Sequence, residues 1–365
     1  MFASRRDDLR FAVIMSGGSG RRFWPLSRAA RSKQMIALID GKTLLELTVE
    51  RLLPLFPREN IMVVTQRCQY ADTVAVLERF GGIRVLSEPV GKNTAACIGY
   101  ASSYITSTVG DAVLSILPAD HMIRMEDKFR SVLSAGMDFV DDTGKHLTLG
   151  IRPDRPATGF GYIRKGGRVG RSGNLEVFSV CEFTEKPSSD VARCYIDAGD
   201  YFWNAGIFVF KASSILEDLR KYLPDMAREF DACKDHFGNS DEEERLRACY
   251  GNLKSISIDY GVMEHTDRAC VVPAEIGWDD LGSWDSFSKY MPKDGAGNRV
   301  RGRHIGIDTK DCIVYSDRQF VGTIGISGIT VITTDDAVLV MRRERGEEVK
   351  DLVKHLEKEG FSDLL

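Results

Sequence analysis

The chain has 365 residues, with 49 lysines plus arginines against 53 aspartates plus glutamates and a formal net charge of -4. That length accommodates one large domain plus a smaller one, and so even a charge leaves no electrostatic footprint for nucleic acid or an anionic membrane. Any anion it binds must be held by a local site. Eight cysteines (68, 97, 181, 194, 233, 249, 270, 312) include no C-x-x-C pair and no histidine spacing suited to zinc. They read as small core residues in a reducing cytoplasm. The charged first ten residues and the five-residue apolar run behind them are too short for a signal peptide or a spanning helix, so the expectation is a soluble cytoplasmic protein.

Up to about residue 150 short apolar runs alternate with amphipathic stretches. Strands are expected at "FAVIM" (11–15), "NIMVVTQ" (60–66), "IRVLSEP" (83–89), "AVLSILPAD" (112–120) and "LTLGI" (147–151), with helices near 43–53, 70–80, 93–107 and 126–140. This pattern predicts an α/β fold with a Rossmann-like, mixed, mainly parallel sheet and helices on both faces. Ligands of such sheets sit at the carboxyl ends of the strands, where Gly17, Glu88 and Asp120 all fall. From 158 to 290 the spacing is irregular: glycine-bounded strands ("TGFGYIRK", "WNAGIFVF"), a charged helical stretch around 213–248, and a tryptophan-bearing loop at 277–284. This part is expected to complete the pocket, giving a catalytic domain over residues 1–292. After Lys293, "DGAGNRV" reads as a linker. Residues 293–365 then predict a small C-terminal β domain with a closing helix from about Glu347 to Glu359, serving packing or a homodimer contact.

The loop behind the first strand, "SGGSGRRFWPLS" (16–27), carries the first chemistry. Short residues let backbone N–H groups approach a ligand and form an anion-binding nest, and Arg21 and Arg22 add guanidinium forks suited to phosphate. The loop is neither a Walker sequence nor a dinucleotide fingerprint: the Gly-Lys pair of the first is missing, and Phe23 stands where the second needs its third glycine. Alone it also reads as a tight strand-to-helix turn with surface arginines.

Eight segments taken together decide more. "GGSGRRFWPLSRAARSKQ" (17–34), "EPVGKNTAA" (88–96), "LPADH" (117–121), "TGFGYI" (158–163), "FTEKP" (183–187), "FWNAGIFVF" (202–210), "SIDYGVMEH" (257–265) and "GWDDLGSWDSF" (277–287) run in order. The set resembles the sugar-1-phosphate nucleotidyltransferase family, in particular its mannose-1-phosphate guanylyltransferase branch. Arg21, where the family often has a small residue, Ser32, in place of a proline, and "MIAL", in place of "FLPL", depart from the pattern; Lys33 stays in register.

The resemblance implies transfer of GMP from GTP to α-D-mannose 1-phosphate, giving GDP-mannose and pyrophosphate, with Mg²⁺ as cofactor. Two anions must meet, so such a reaction rests on positioning and charge neutralisation rather than on a covalent nucleophile. Gly17, Gly18, Ser19 and Gly20 are then expected around the triphosphate, with Arg22 and Lys33 as cationic partners. Asp120 and Asp280 are expected to hold the metal, and Asp279 to fill a variable position between. Glu88, Asn93, Thr94 and Ala95 would recognise the base, a carboxylate being able to accept from the two adjacent donors of guanine; Asn93 or Thr94 could equally cap a helix. Gly161, Glu185, Lys186 and Asn204 would meet the sugar phosphate, although a Glu-Lys pair before proline is also an ordinary turn. Trp203, Trp278 and Trp284 read as core or pocket wall. A structural or hydrogen-bonding role suits His121, because a phosphate monoester needs no base near neutral pH. Alternatives are another sugar 1-phosphate or nucleotide, or a catalytically silent sensor, whose signature would be loss of Lys33, Asp120 or Asp280. With the chain ending at Leu365, no isomerase module is expected.

Overall fold

Phe11, Ala12, Val13 and Ile14 are buried on both sides of the first strand, which is why that run reads as continuously apolar rather than alternating. The structure is a computed structural model that describes residues 9–18, 20–28, 31–39 and 41–365. In chain order the first elements are β1 (Arg10–Ser16), α1 (Leu44–Leu52), β2 (Ile61–Gln66), α2 (Tyr70–Leu77), β3 (Arg84–Glu88), α3 (Asn93–Thr108), β4 (Val113–Pro118), the two-residue β5 (Met122–Ile123), α4 (Glu126–Thr143) and β6 (His146–Ile151). There follow β7 (Gly161–Ser172), β8 (Leu175–Glu185), α5 (Ser189–Ala198), β9 (Tyr201–Lys211), α6 (Ala212–Tyr222), α7 (Pro224–Cys233), α8 (Glu242–Asn252) and β10 (Ala269–Pro273). The charged helical stretch expected around 213–248 comprises three helices, α6, α7 and α8. Pro224 at the start of α7 cannot continue α6, and Gly238, at φ 79, lies between α7 and α8.

The chain forms two compact units. One holds the residues up to Gly17, Thr48–Ala119 and Ile123–Trp278. Its nine-stranded sheet has the order β3-β2-β1-β4-β9-β6-β10-β8-β7. Strands β3, β2, β1 and β4 are mutually parallel, as are β6 and β10, whereas β9 runs antiparallel between β4 and β6. Successive side chains of a strand point to opposite faces. Phe208 and Phe210 of β9 enter the core that contains Tyr100, Leu219 and Phe230 of α3, α6 and α7. Val209 between them faces Gly136 of α4, where a Cβ would come within 3.7 Å of it. Helices therefore cover both faces, and the carboxyl ends of β1 and β3 deliver Gly17 and Glu88.

The other unit holds Gly18–Leu47, Asp120–Met122 and Asp279–Leu365. It is more than a tail: Phe23, Trp24, Leu26, Ile36 and Leu38 share one core with Trp284, Phe287, Ile313, Tyr315 and Val353. The ring centroids of Phe23 and Trp284 are 5.2 Å apart. Past the short β11 (Trp278–Asp279) and α9 (Trp284–Ser288), strands β12 (Arg299–Ile307), β13 (Ile313–Ile324), β14 (Ile329–Thr333) and β15 (Val338–Arg342) precede α10 (Val349–Glu359). Pairs β12/β13 and β13/β14 are parallel, and β15 closes antiparallel. Parallel neighbours normally need a long crossover, but here four or five residues suffice because the chain coils. Each link has two left-handed corners, Asp308 and Asp311 at φ 49 and 50, then Gly325 and Gly328 at φ 66 and 65. Among the described residues no helix is long and apolar enough to cross a membrane.

Candidate active site

The second unit builds its cluster on a lysine. The turn Lys33–Met35 buries Lys33 to 4 % exposure, and its ammonium meets Asp120 Oδ2 at 2.6 Å. It also donates to the carbonyls of Asp280 at 2.9 Å and Leu281 at 3.2 Å. An ammonium has three donors, and all three are engaged. Gly20 makes the approach feasible: it sits at φ 59, and a Cβ there would fall 2.5 Å from Lys33 Cβ. Ser27 Oγ donates to the Gly20 carbonyl at 2.8 Å, pinning the loop. Arg22 is paired with Glu347 at 2.8 Å and Arg21 with Glu357 at 2.7 Å, so both guanidiniums are tied to the C-terminal segment. Gly18 stands in open space, and Ser19 lies outside the described residues.

Asp120, Asp280, Lys33, Arg22 and Lys350 line one cleft of about 320 Å³. Burial alone would raise the Asp120 carboxyl, but the neighbouring Lys33 charge, with His121, outweighs it and holds the group below the usual carboxylate range. Asp280 goes the other way: burial raises it, and the charges of Asp279 and Asp120 add to that against the pull of Lys33. Gly282 leaves room for this carboxylate, since a Cβ there would fall 2.5 Å from Asp280 Oδ2. Asp279 has a different task, accepting the Leu281 N–H at 2.9 Å. His121 Nε2 lies 3.9 Å from Asp120 Oδ1. Trp284, fully buried, donates to the Trp24 carbonyl and is core, as is Trp203 in the first unit.

The first unit holds two further clusters. Glu88, 4 % exposed, accepts from the Tyr250 hydroxyl at 3.0 Å. Burial pushes its carboxyl up to about 7, the Tyr250 bond partly opposing. Its second oxygen faces Gly17, whose Cβ position lies 3.5 Å away. Asn93, at φ 70, caps the start of α3 locally, its Oδ1 accepting the Thr94 N–H at 2.8 Å, while the preceding Lys92 makes no side-chain cap bond. The Ala95 N–H donates to the Ile256 carbonyl at 3.2 Å, so the segment around 257 satisfies a further N–H of the helix start, and the Thr94 hydroxyl in turn accepts the Ile258 N–H at 2.8 Å.

In the other cluster, Lys186 Nζ meets Glu185 Oε1 at 2.6 Å. The Lys186 backbone is at φ 50, a strained value for a side chain of that size. Gly161 lies under the Glu185 carboxylate: a Cβ would fall 2.4 Å from Oε2, so glycine is what lets Glu185 lie there. Asn204 accepts from the Thr148 hydroxyl at 2.9 Å and donates to Asp259 Oδ1 at 2.8 Å. Sequence reasoning assigned nothing to Thr148, Tyr250 or Asp259. The aspartate stood within the quoted "SIDYGVMEH", a charge set among apolar neighbours. Among the described residues no group of three or more His, Cys, Asp or Glu side chains could hold a metal.

A mixed sheet with glycine turns at its carboxyl ends, and a cationic cleft bearing paired carboxylates, are the parts of a phosphate-handling transferase. The family model described as nucleotidyl transferase matches residues 11–296, and one described as a MannoseP isomerase/GMP-like beta-helix domain matches 302–356. The chain belongs to the nucleotidyl transferase family. It is 38 % identical over 357 residues to a xanthan biosynthesis protein of Xanthomonas campestris, covering 96 % of this chain and 74 % of the relative. With the Escherichia coli mannose-1-phosphate guanylyltransferase it shares 35 % identity over 362 residues, again 96 % and 74 %. A Thermus thermophilus crystal structure described as a mannose-1-phosphate geranyltransferase matches with TM-score 0.84 and 38 % identity, over 96 % of this chain and 99 % of that one.

Proposed function

We propose that the chain transfers GMP from GTP to α-D-mannose 1-phosphate, giving GDP-mannose and pyrophosphate. The observation that carries this reading is the buried Lys33 ammonium clasping Asp120 and the 280–281 turn, beside Asp280, in a cleft edged by arginines. Relatives from Escherichia coli and Salmonella named mannose-1-phosphate guanylyltransferase support the choice of substrates. So charged a lining favours a polyphosphate over an isoprenoid chain, which argues for guanylyl rather than geranyl transfer.

In the reaction a phosphate oxygen of the sugar attacks the α-phosphorus of GTP, and the bond to the β-phosphate bridge oxygen breaks to release pyrophosphate. The nucleophile is already anionic, so the protein's work is alignment and neutralisation. Gly17, Gly18, Ser19 and Gly20 let the backbone approach the triphosphate, and Arg22 supplies charge once released from Glu347. Lys33 holds Asp120 and the Leu281 turn in place, and direct contact with phosphate requires one of its three bonds to open. Asp120 and Asp280 fit a hard divalent cation such as Mg²⁺, which takes one or two carboxylates; the crowding that raises Asp280 is what a cation relieves. When bound, Mg²⁺ would neutralise triphosphate charge. Glu88, with Asn93 to Ala95, addresses guanine; Gly161, Glu185, Lys186 and Asn204 address the sugar phosphate. Pyrophosphate release from four nucleoside triphosphates against a set of hexose 1-phosphates, with Mg²⁺, tests the assignment. GTP with mannose 1-phosphate should have the highest kcat/KM, and a lead for any other pair overturns it.

A further inference from the structure

Asp259 opens a π-turn, Asp259–Met263, at the end of the segment that touches both clusters of the first unit. Such turns interrupt regular helix at a cost and recur at functional sites. On one side this segment meets Thr94 and Ala95; on the other it braces the end of β8. The Glu185 N–H donates to Glu264 Oε1 at 3.3 Å, and the Tyr260 hydroxyl donates to the Glu185 carbonyl at 3.4 Å.

Asn204 is fixed in one orientation. Its Oδ1 accepts from the Thr148 hydroxyl at 2.9 Å and the Gly206 N–H at 3.1 Å, so Nδ2 must face Asp259, to which it donates at 2.8 Å. A carboxylate has about four acceptor positions, so the bonds from Asn204 and from its own backbone leave Asp259 capacity for another donor. Asn204 Cβ and Glu185 Oε2 both border the bare α-carbon of Gly161, at 3.4 Å and 2.4 Å from its Cβ position. Glu185 and Asp259 are close enough to repel: burial and the Glu185 charge push the Asp259 carboxyl up to about 6, with Lys186 and Asn204 opposing. Lys186 already compensates Glu185. What the pair keeps open is acceptor positions, and a pyranose ring carries neutral donors on neighbouring carbons.

We propose that Glu185 and Asp259 accept from adjacent ring hydroxyls of the hexose phosphate, with Asp259, oriented through Asn204, selecting which hexose is used. This rests on the sugar-phosphate reading above and deepens it. The test measures kcat/KM for mannose 1-phosphate and its 2-, 3-, 4- and 6-deoxy analogues, with saturating GTP, in the wild-type chain, Asp259→Asn and Asp259→Glu. Wild type should lose on the order of 10- to 100-fold at two neighbouring ring positions, the scale for a hydrogen bond to a charged group. In Asp259→Asn one of those two penalties should shrink to within about 3-fold, with the KM for GTP unchanged. Asp259→Glu keeps the charge and should alter the discrimination pattern with the fold intact, so a poorly folding Asn variant does not decide the matter. The wild-type pattern persisting in both variants, or a GTP KM rising as much as that for the sugar phosphate, overturns the role of Asp259 alone. A wild-type chain that turns over no hexose 1-phosphate overturns the transfer reading with it.

Discussion

Replacing Lys33 by methionine keeps the unbranched stem, one atom shorter, and removes the charge at the centre of the second unit. Three acceptors lose their donor: Asp120 Oδ2 at 2.6 Å, the Asp280 carbonyl at 2.9 Å and the Leu281 carbonyl at 3.2 Å. Breaking a buried ion pair costs about 3–5 kcal/mol. Because the Asp120 side chain keeps 34 % of its surface in water, its abandoned charge is partly solvated and the lower end, about 3 kcal/mol, applies. Urea unfolding followed by tryptophan fluorescence reads the loss, since Trp24 and Trp284 lie in the core that Phe23 shares. Asp120→Asn alone also breaks the pair. The double variant should therefore be more stable than the sum of the two losses, by about 1 kcal/mol or more. Pyrophosphate release should fall on the order of 10²-fold or more in Lys33→Met. Strict additivity, or a Lys33→Met chain as stable as wild type, would refute the clasp.

Asp120→Asn and Asp280→Asn should each lower turnover on the order of 10²–10³, whereas Asp279→Asn, whose amide oxygen can still accept the Leu281 N–H, should stay near wild type. A larger loss at Asp279 than at Asp280 reverses the assignment. Gly20→Ala places a methyl 2.5 Å from Lys33 Cβ and 2.8 Å from its backbone nitrogen at φ 59. It should lower the urea midpoint by the equivalent of about 2 kcal/mol, while Gly18→Ala, in open space, should leave it unchanged. Glu88 gives a pH signature. Burial raises its folded pKa to about 7, so the folded chain holds the proton more tightly than the unfolded one. The stability from that proton is present below about pH 4.5 and is lost as pH rises through about 7, roughly 3 kcal/mol in all. Glu88→Gln should lack this slope, and a wild-type-minus-variant stability difference that is constant from pH 4.5 to 8 would show that the carboxyl is not held up.

Much was legible before any coordinates. Apolar runs such as "FAVIM" and "NIMVVTQ" announce strands because a strand buried on both faces favours apolar side chains nearly throughout, and glycine and acidic residues at their ends mark where chemistry falls. The resemblance of the ordered motifs named the clasp's members, Lys33, Asp120 and Asp280, and the chemistry of each side chain agreed with a charged ligand. Partnership was not legible. That Lys33 spends all three hydrogens within the protein, that Arg22 leans on Glu347, and that Gly161 exists to seat Glu185 depend on atoms up to several hundred positions apart. The coil of β12 to β14 escaped the sequence because its repeat lies in left-handed corners, filled by aspartates in one link and glycines in the next, so that geometry recurs where residue identity does not. Likewise, Gly18–Leu47 follows the first strand in the chain yet shares a core with Trp284 and Tyr315. Burial of Phe23, Trp24 and Leu26 decides that membership, and apolar burial carries no record of sequence distance.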